Sequence, residues 1–346
     1  MSIYHSNTLL PKVTILIPVL NEQDNLPACL DCVLSQNYSP GSLEIIVIDG
    51  GSTDKTFTIA REYRNRCPLV RVVQLPGLNV PQRLNAGAAD AEGEILVRVD
   101  ARSRPLTDYV SKLVALLLKT EAFHVGVKLK AISHTRMGRV IALAVSHPFG
   151  VGNSRHRTSD NSSGEEGGYL GAVRKEDFFS VGGYDPDCDY TEDDEFSLRL
   201  IQYGKMVLYT PEIEVPYICR DSVTSIGLQF FRYGKYKLKV FRKHGRMPTI
   251  RPYIPLAFVS AIFVLLPLSV MYGPFFLALL TLMFVYIGSC VTVSIISSIK
   301  KREFIFLALP LVFATLHLSY GIGELFGLVK FVGVMRVRQI FAKGHS

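Results

Sequence analysis

The chain has 346 residues, 48% of them hydrophobic, with 38 Lys and Arg against 30 Asp and Glu, for a net charge of +8. It is long enough for one sizeable domain plus further segments, and too apolar to be read as wholly soluble. The charge is local: no acidic residue falls between Asp221 and Glu303, whereas Arg232, Lys235, Lys237, Lys239, Arg242, Lys243, Arg246 and Arg251 do, just ahead of an apolar tract. That placement suits the cytoplasmic flank of a membrane helix and argues against a nucleic-acid groove.

No basic region followed by a long apolar run opens the chain, so no secretory leader is expected. The first apolar run, Val13 to Leu20, is too short to span a membrane and is broken by Pro18, which predicts a buried strand. Helical spacing follows over 25–34. Cys29 and Cys32 form a C-x-x-C there, but no second pair at zinc spacing accompanies it, so they read as two buried thiols. Strands are predicted at Leu43–Ile48, Val70–Gln74 and Glu94–Val99, with helices over Thr56–Arg64 and Asn85–Ala91. This alternation predicts an α/β domain with a mostly parallel sheet covered on both faces.

Ligands of such sheets bind beyond the carboxyl ends of strands. Asn21-Glu22, Asp49 and Asp100 each stand just past a predicted strand end. Singly, each has a bland reading. Asp49-Gly50-Gly51-Ser52-Thr53-Asp54 can be a turn with a helix cap, and Asp100 can cap the helix after Pro105. As a set at one sheet edge, they read as a binding site. Arg102 either points to solvent or serves as a bidentate partner for phosphate oxygens.

The segment 147–168, rich in Gly, Ser, Asn, Arg and His, reads as a mobile loop near the pocket. Ordered structure resumes at 168–173 and 178–184. Then comes Tyr190-Thr-Glu-Asp-Asp-Glu-Phe, four adjacent carboxylates opening an apolar helix. Thr191 can cap that helix and its dipole tolerates the acids; alternatively, one of them is a pocket base beside a substrate hydroxyl. Apolar tracts cover 253–272, 275–296 and 304–329, each close to the roughly 20 residues a span needs. Lys300, Lys301 and Arg302 mark a cytoplasmic loop, and Arg336, Arg338 and Lys343 after the third tract disfavour a third full span. Two to three spans are expected.

Four elements in order resemble glycosyltransferase family 2, whose fold is GT-A: Ile-Pro-Val-Leu-Asn-Glu (17–22), Val-Ile-Asp-Gly-Gly-Ser-Thr-Asp-Lys-Thr (47–56), Thr-Glu-Asp-Asp (191–194) and Gln-Phe-Phe-Arg-Tyr (229–233). The segments Val-Arg-Val-Asp-Ala-Arg-Ser and Gly-Val-Gly-Asn-Ser-Arg, followed by membrane tracts, further resemble glucosyltransferases of succinoglycan-type exopolysaccharide assembly. The resemblance implies an inverting transfer of a sugar, glucose, from a UDP-sugar to a polyprenyl-diphosphate-linked glycan. Carried over, Pro18, Asn21, Glu22 and Asp49 would hold the nucleotide, with Asp49 at the uracil. Asp100 would face the diphosphate and hold Mg2+ or Mn2+. Asp193 would be the catalytic base with Glu192 beside it, and Gln229 and Arg232 would sit near the acceptor and diphosphate. The family's D-x-D has Arg102 at its second acid, and its Q-x-x-R-W ends here in Tyr233. Rival readings are a processive polysaccharide synthase and a silent membrane scaffold that binds nucleotide sugars. The expected layout is a catalytic domain over 1–225, a basic amphipathic interfacial segment over 226–252, a membrane region over 253–332 and a basic tail over 333–346. The implied location is the inner membrane, multi-pass, with the catalytic domain in the cytoplasm and membrane lipids as further partners.

Overall fold

The computed structural model describes residues 10–152, 154–158, 169–245, 251 and 253–343. Most of the Gly- and Ser-rich loop, together with Asn153, Arg246 and the last three residues of the tail, lies outside them, and the helix over 331–343 is described by its backbone alone. Two compact units form, one from Met1–Leu129 with Asp160–Tyr217, the other from Lys130–Ser159 with Ile218–Ser346. These bounds differ from those read off the composition, because 130–159 joins the second unit.

The first unit contains β1 (Val13–Val19), α1 (Leu26–Leu34), β2 (Leu43–Asp49), α2 (Thr56–Arg66), β3 (Val70–Gln74), α3 (Val80–Asp90), β4 (Ile95–Arg98), α4 (Tyr109–Lys119) and most of β5 (His124–Ile132). After the excursion into the second unit, whose helices there are α5 (Arg136–Ser146), α6 (Pro148–Val151) and α7 (Arg155–Thr158), it resumes with β6 (Tyr169–Arg174), α8 (Lys175–Ser180), α9 (Glu192–Gln202) and β7 (Val207–Ile218). The strands form one sheet in the order β3-β2-β1-β4-β6-β5-β7. The first four are mutually parallel, and β6 runs antiparallel to both β4 and β5.

Successive side chains of a strand face opposite sides of the sheet. In β1 and β2, Ile15, Ile17, Ile45 and Val47 meet α1 and α4 through Leu30, Val33, Val110 and Leu113. Leu16, Ile46 and Ile48 face the other way, toward Leu84 and Ala88 of α3 and Phe196 and Leu200 of α9. With both faces covered, every β2 residue is buried, which is why these strands read as unbroken apolar runs rather than alternating ones. The α3 helix begins five residues before its predicted start, because Asn79 and Gln82 form a reciprocal capping box. Gly87 lets α3 approach β2, since an added Cβ would lie 2.3 Å from Ile48 Cδ1.

The second unit continues with α10 (Val223–His244), α11 (Tyr253–Met271), α12 (Gly273–Lys301) and α13 (Leu309–Lys343). Its core joins Val140, Ile141 and Val145 of α5, Ile226 and Phe230 of α10, and Leu309, Val312, Phe313 and Leu316 of α13. Three stretches are long and apolar enough to cross a membrane: Tyr253–Met271, Gly273–Lys301 and Phe304–Lys330.

Glu44 is the one acid inside β2 before its terminal Asp49. Buried, it accepts hydrogen bonds from Thr14 Oγ1 at 2.6 Å and Glu92 N at 2.8 Å and pairs with Arg71. Burial pushes its pKa up, but Thr14, Glu92 and Arg71 together bring it below the ordinary 4.5. Its contribution is therefore complete above that value and lost as pH falls through the depressed one. Glu44→Ala is expected to cost about 1–3 kcal/mol at pH 7, because Thr14 Oγ1 and Glu92 N lose their buried acceptor while Arg71, partly exposed, keeps Asp90. Thermal unfolding of the detergent-solubilised protein should show that deficit shrinking below pH 4.5.

Candidate active site

Because β1, β2 and β4 are parallel neighbours, their carboxyl ends share one sheet edge, and the loops leaving them meet there. The first two loops are stitched together by short polar side chains. Asn21 Oδ1 accepts from Thr53 N at 2.8 Å, Asn21 N donates to Ser52 Oγ at 2.9 Å, Glu22 N to Thr56 Oγ1 at 2.8 Å, and Lys55 N to Gln23 Oε1 at 3.0 Å. Asn21 adopts φ 54°, a left-handed conformation that Asn tolerates better than most residues. Pro18 is half-buried within β1, opposite Ile48.

Asp49, fully buried, accepts hydrogen bonds from Gly51 N at 3.0 Å, Ser52 N at 3.1 Å, Ser52 Oγ and Gln74 Nε2 at 3.0 Å. Both oxygens are thus committed to the loop and to Gln74. An added Cβ on Gly50 would lie 2.2 Å from Arg83 Nη1, so Arg83 would have to shift. Arg83 is itself buried and donates to Val19 O at 2.6 Å; burial lowers its pKa, while Asp189, Asp49 and Tyr190 oppose the shift.

The centre of the site is Arg98, the last residue of β4 and 8% exposed. Its Nε donates to Asp100 Oδ1 at 3.0 Å and its Nη2 meets Glu192 Oε1 at 2.9 Å. One guanidinium thereby serves two carboxylates from distant parts of the chain. Arg102 does not point to solvent: its Nε donates to Glu22 Oε1 at 2.9 Å, and its Nη groups take no partner among the described residues. The other Glu22 oxygen accepts from Asn25 Nδ2 at 2.7 Å. Glu22 therefore orients Arg102.

The four acids at the start of α9 separate by partner. Glu192 is buried against Arg98; burial raises its pKa and Arg98 opposes the rise. Asp194 is exposed. Glu195 is completely buried and holds Arg199 through both oxygens, at 3.1 and 2.9 Å, while Arg199 also donates to Val181 O and Gly183 O. Asp193 is half-buried with no cation bonded to it among the described residues. Lost hydration, then Asp194 and Glu192, push its pKa up to about 8. Thr191 occupies the N-cap position but makes no side-chain cap bond, contrary to expectation; its hydroxyl faces Cys188 O instead. Asn85 and Asn79 of the α3 region pin the preceding loop, bonding Tyr184 N and O and Pro186 O.

Gln229, Arg232 and Tyr233 belong to α10 in the second unit. Gln229 Nε2 donates to Tyr233 Oη at 2.7 Å, a bond one helical turn apart. Sequence reading missed Arg98, Gln74 and Arg83. Arg98 had a signal: a charge between Val97 and Val99 in a buried strand is almost never buried unpaired.

A family model described as Glycosyl transferase family 2 matches residues 14–168. The succinoglycan biosynthesis protein ExoA of Rhizobium meliloti (strain 1021) is 32% identical over 245 residues, spanning 70% of this chain and 74% of that protein. A Methanococcus voltae protein named dolichyl N-acetyl-alpha-D-glucosaminyl phosphate 3-beta-D-2,3-diacetamido-2,3-dideoxy-beta-D-glucuronosyltransferase is 26% identical over 328 residues, 92% of this chain and 97% of its own length. Among solved structures, the mannosyltransferase PcManGT from Pyrobaculum calidifontis, in complex with GDP-Man and Mn2+, shares the fold with TM-score 0.59 at 18% identity, covering 90% of this chain and 88% of that one.

An acid whose folded pKa exceeds its unfolded value weakens the fold as pH climbs from the unfolded value to the folded one. For Asp193 that window runs from 3.8 to about 8. Asp193→Asn is therefore expected to match the parent's melting temperature at pH 4 and exceed it at pH 9, as read by thermal unfolding at both values.

Proposed function

The chain belongs to glycosyltransferase family 2, and on that premise we propose that it is an inverting enzyme moving glucose from UDP-glucose to a polyprenyl-diphosphate-linked oligosaccharide during exopolysaccharide assembly. The observation that carries the mechanism is the separation of the four acids: Glu192 and Glu195 are bound to arginines and Asp194 is exposed, whereas Asp193 is half-buried with a raised pKa. A base for an alcohol is most effective when its pKa lies near the working pH. Exopolysaccharide assembly is supported by the likeness to the succinoglycan protein, and a lipid-linked acceptor by a relative whose name specifies a dolichyl N-acetylglucosaminyl phosphate; the glucose donor rests on the motif resemblance alone.

The step balances without a covalent enzyme intermediate. Asp193 takes the proton of the acceptor hydroxyl, whose oxygen forms a bond to the anomeric carbon. The bond from that carbon to the diphosphate breaks, and its electron pair leaves with UDP. Attack and departure on opposite faces invert the configuration. Arg102, oriented by Glu22, offers its Nη groups to the departing phosphate oxygens.

A divalent ion fits this donor set. Asp100, beside Arg98 and Glu192 at the sheet edge, remains 17% exposed, so its carboxylate is within reach of an ion. No cluster of three or more metal-ligating side chains occurs among the described residues, so Asp100 would hold Mg2+ or Mn2+ with the donor's phosphates as the remaining ligands. When bound, the ion neutralises charge that develops on the leaving diphosphate. Asn21, Glu22 and the Asp49 loop shape the nucleotide pocket, with Pro18 in the strand beneath. Gln229, Arg232 and Tyr233 serve the acceptor. The first unit is the catalytic domain, placed in the cytoplasm, and the apolar helices of the second anchor it to the inner membrane.

Three outcomes follow. Purified membranes should transfer glucose from UDP-glucose to a lipid-linked acceptor, one sugar per acceptor; transfer from a different nucleotide sugar would refute the donor assignment, and a ladder of longer products the single addition. Asp193→Asn should abolish turnover and keep UDP affinity by calorimetry, whereas Asp194→Asn should retain most activity; the reverse pattern moves the base. In a metal titration at fixed donor, Arg102→Ala should lower turnover and require more Mn2+ for half-maximal rate, and curves identical to the parent's would place Arg102 outside the site.

A further inference from the structure

The three apolar stretches of the second unit are not equivalent. The helices α11 and α12 form an antiparallel hairpin turning at Tyr272, with Ala261 and Leu265 of one beside Leu277, Ala278 and Thr281 of the other. Their 19 and 29 residues correspond to roughly 28 and 43 Å at 1.5 Å per residue, enough for a bilayer core of about 30 Å. The buried residues of this hairpin are Val259 in α11 and Cys290, Ser294, Ser297 and Ser298 in α12, all at the end away from the turn. Toward the turn its surface is exposed and apolar, as lipid-facing helices are.

The α13 helix packs differently. It meets the hairpin at Tyr286 and Ser294 of α12 and at the start of α11. Ser294 Oγ donates to Phe306 O just before α13 begins, His317 Nδ1 lies 2.9 Å from Tyr286 Oη, and an added Cβ on Gly321 would lie 2.4 Å from Pro255 O. Glu324, buried, lies against Leu256 in the first turn of α11. A helix crossing beside the hairpin would continue toward Tyr272. Instead α13 turns its other side to α10 with the two backbones in direct contact. An added Cβ on Gly234 would lie 2.1 Å from Tyr320 O, and one on Gly323 would lie 2.1 Å from Phe231 O. Gly227 faces Thr315 and Ser319, and Gly327 faces Lys235. Residue numbers rise together along both helices, so they run parallel.

This pairing decides the placement. If α13 crossed the bilayer, α10 would accompany it through the same depth, taking Arg232, Lys235 and Lys237 into hydrocarbon, where such charges are strongly disfavoured. At the headgroup level the same cations are favoured by anionic phosphates. The exposure of α13 agrees: Leu311, Leu318, Ile322 and Phe326 form one exposed apolar stripe, while Leu309, Val312, Phe313, Leu316 and Glu324 are buried on the opposite side. The buried side is the one docked against α5 and α10, which leaves the stripe to face lipid.

We propose that α13 lies in the plane of the membrane surface, docked along α10, so that the α11–α12 hairpin alone crosses the bilayer and α10 and α13 together form a cationic surface seated on anionic lipid headgroups. Both ends of the chain then stand on one side of the membrane. The inference does not depend on the donor or acceptor assigned above.

Two measurements on the full-length protein test it. Green fluorescent protein, which fluoresces only on the cytoplasmic side, should give signal when fused to either terminus, and alkaline phosphatase at the C-terminus should be inactive; an active phosphatase with a dark C-terminal fluorophore overturns the proposal. The chain has no tryptophan, so Leu318→Trp and Phe263→Trp report depth individually in phosphatidylglycerol-containing vesicles with bromines at shallow or deep acyl positions. Phe263→Trp, in the middle of α11, should be quenched most by deep bromines and Leu318→Trp most by shallow ones. Deep quenching of Leu318→Trp overturns in-plane placement even with both termini on one side, since it marks a re-entrant helix.

Discussion

The candidate site depends on one buried guanidinium. Arg98 ends β4 at the centre of the sheet and bonds both Asp100, two residues on, and Glu192, at the start of a helix more than ninety positions away. Removing a partner from such a buried arrangement costs about 3–5 kcal/mol, so the pairing fixes where α9 begins relative to the sheet edge. Asp193 owes its position to that anchor. Its neighbours before and after are committed or exposed, and it alone keeps a carboxyl that is half-buried and unbound to a cation among the described residues. The raised pKa of Asp193 follows from the same crowding.

Around this anchor the site is built from short polar side chains that bond backbone groups. Asn21, Ser52, Thr53 and Thr56 join two loops whose strands are already neighbours, and Asp49 spends its charge on the turn that follows it. Each bond adds only about 0.5–1.5 kcal/mol, yet together they hold the loops in one conformation before any ligand arrives. Catalysis benefits from such preorganisation because donors aimed in advance need no rearrangement during the reaction. Glu22 extends the pattern by holding Arg102, the residue that stands where the second acid of a D-x-D would be.

In the second unit the corresponding constraint is backbone contact. Glycines at 227, 234, 323 and 327 let α10 and α13 touch along their length. Small residues permit this approach in any solvent, but the cations on α10 set its depth. At about 2.5–3.5 kcal/mol for each Lys or Arg at the bilayer centre, each of them opposes a deep placement. Hydropathy assigns α13 to the membrane core because it scores one helix at a time, whereas its depth is set by the helix beside it.

Much was legible in the sequence because it rests on local chemistry. Apolar runs ended by Asn or Asp marked β1, β2 and β4, and the three polar clusters past their ends fell at one sheet edge because parallel strands must end together. The acid run was visible as a helix start, and three helices long enough to span as apolar length. Apart from the family resemblance, which pointed to Asp193, no local pattern separated the four acids, since their pairing turns on Arg98 and Arg199, one brought by the sheet and the other by the next turn of the helix. Nor was the fate of Thr191, whose hydroxyl faces the preceding loop instead of capping, or the commitment of Asp49 to its own turn. Sequence by itself determined which residue types were available and which backbone they favoured, because propensity and periodicity act over a few positions. Tertiary structure alone decided which charges are paired and which helices touch, because Coulomb energy and packing depend on distance in space, and Arg98 meets Glu192 only once the sheet and α9 have come together.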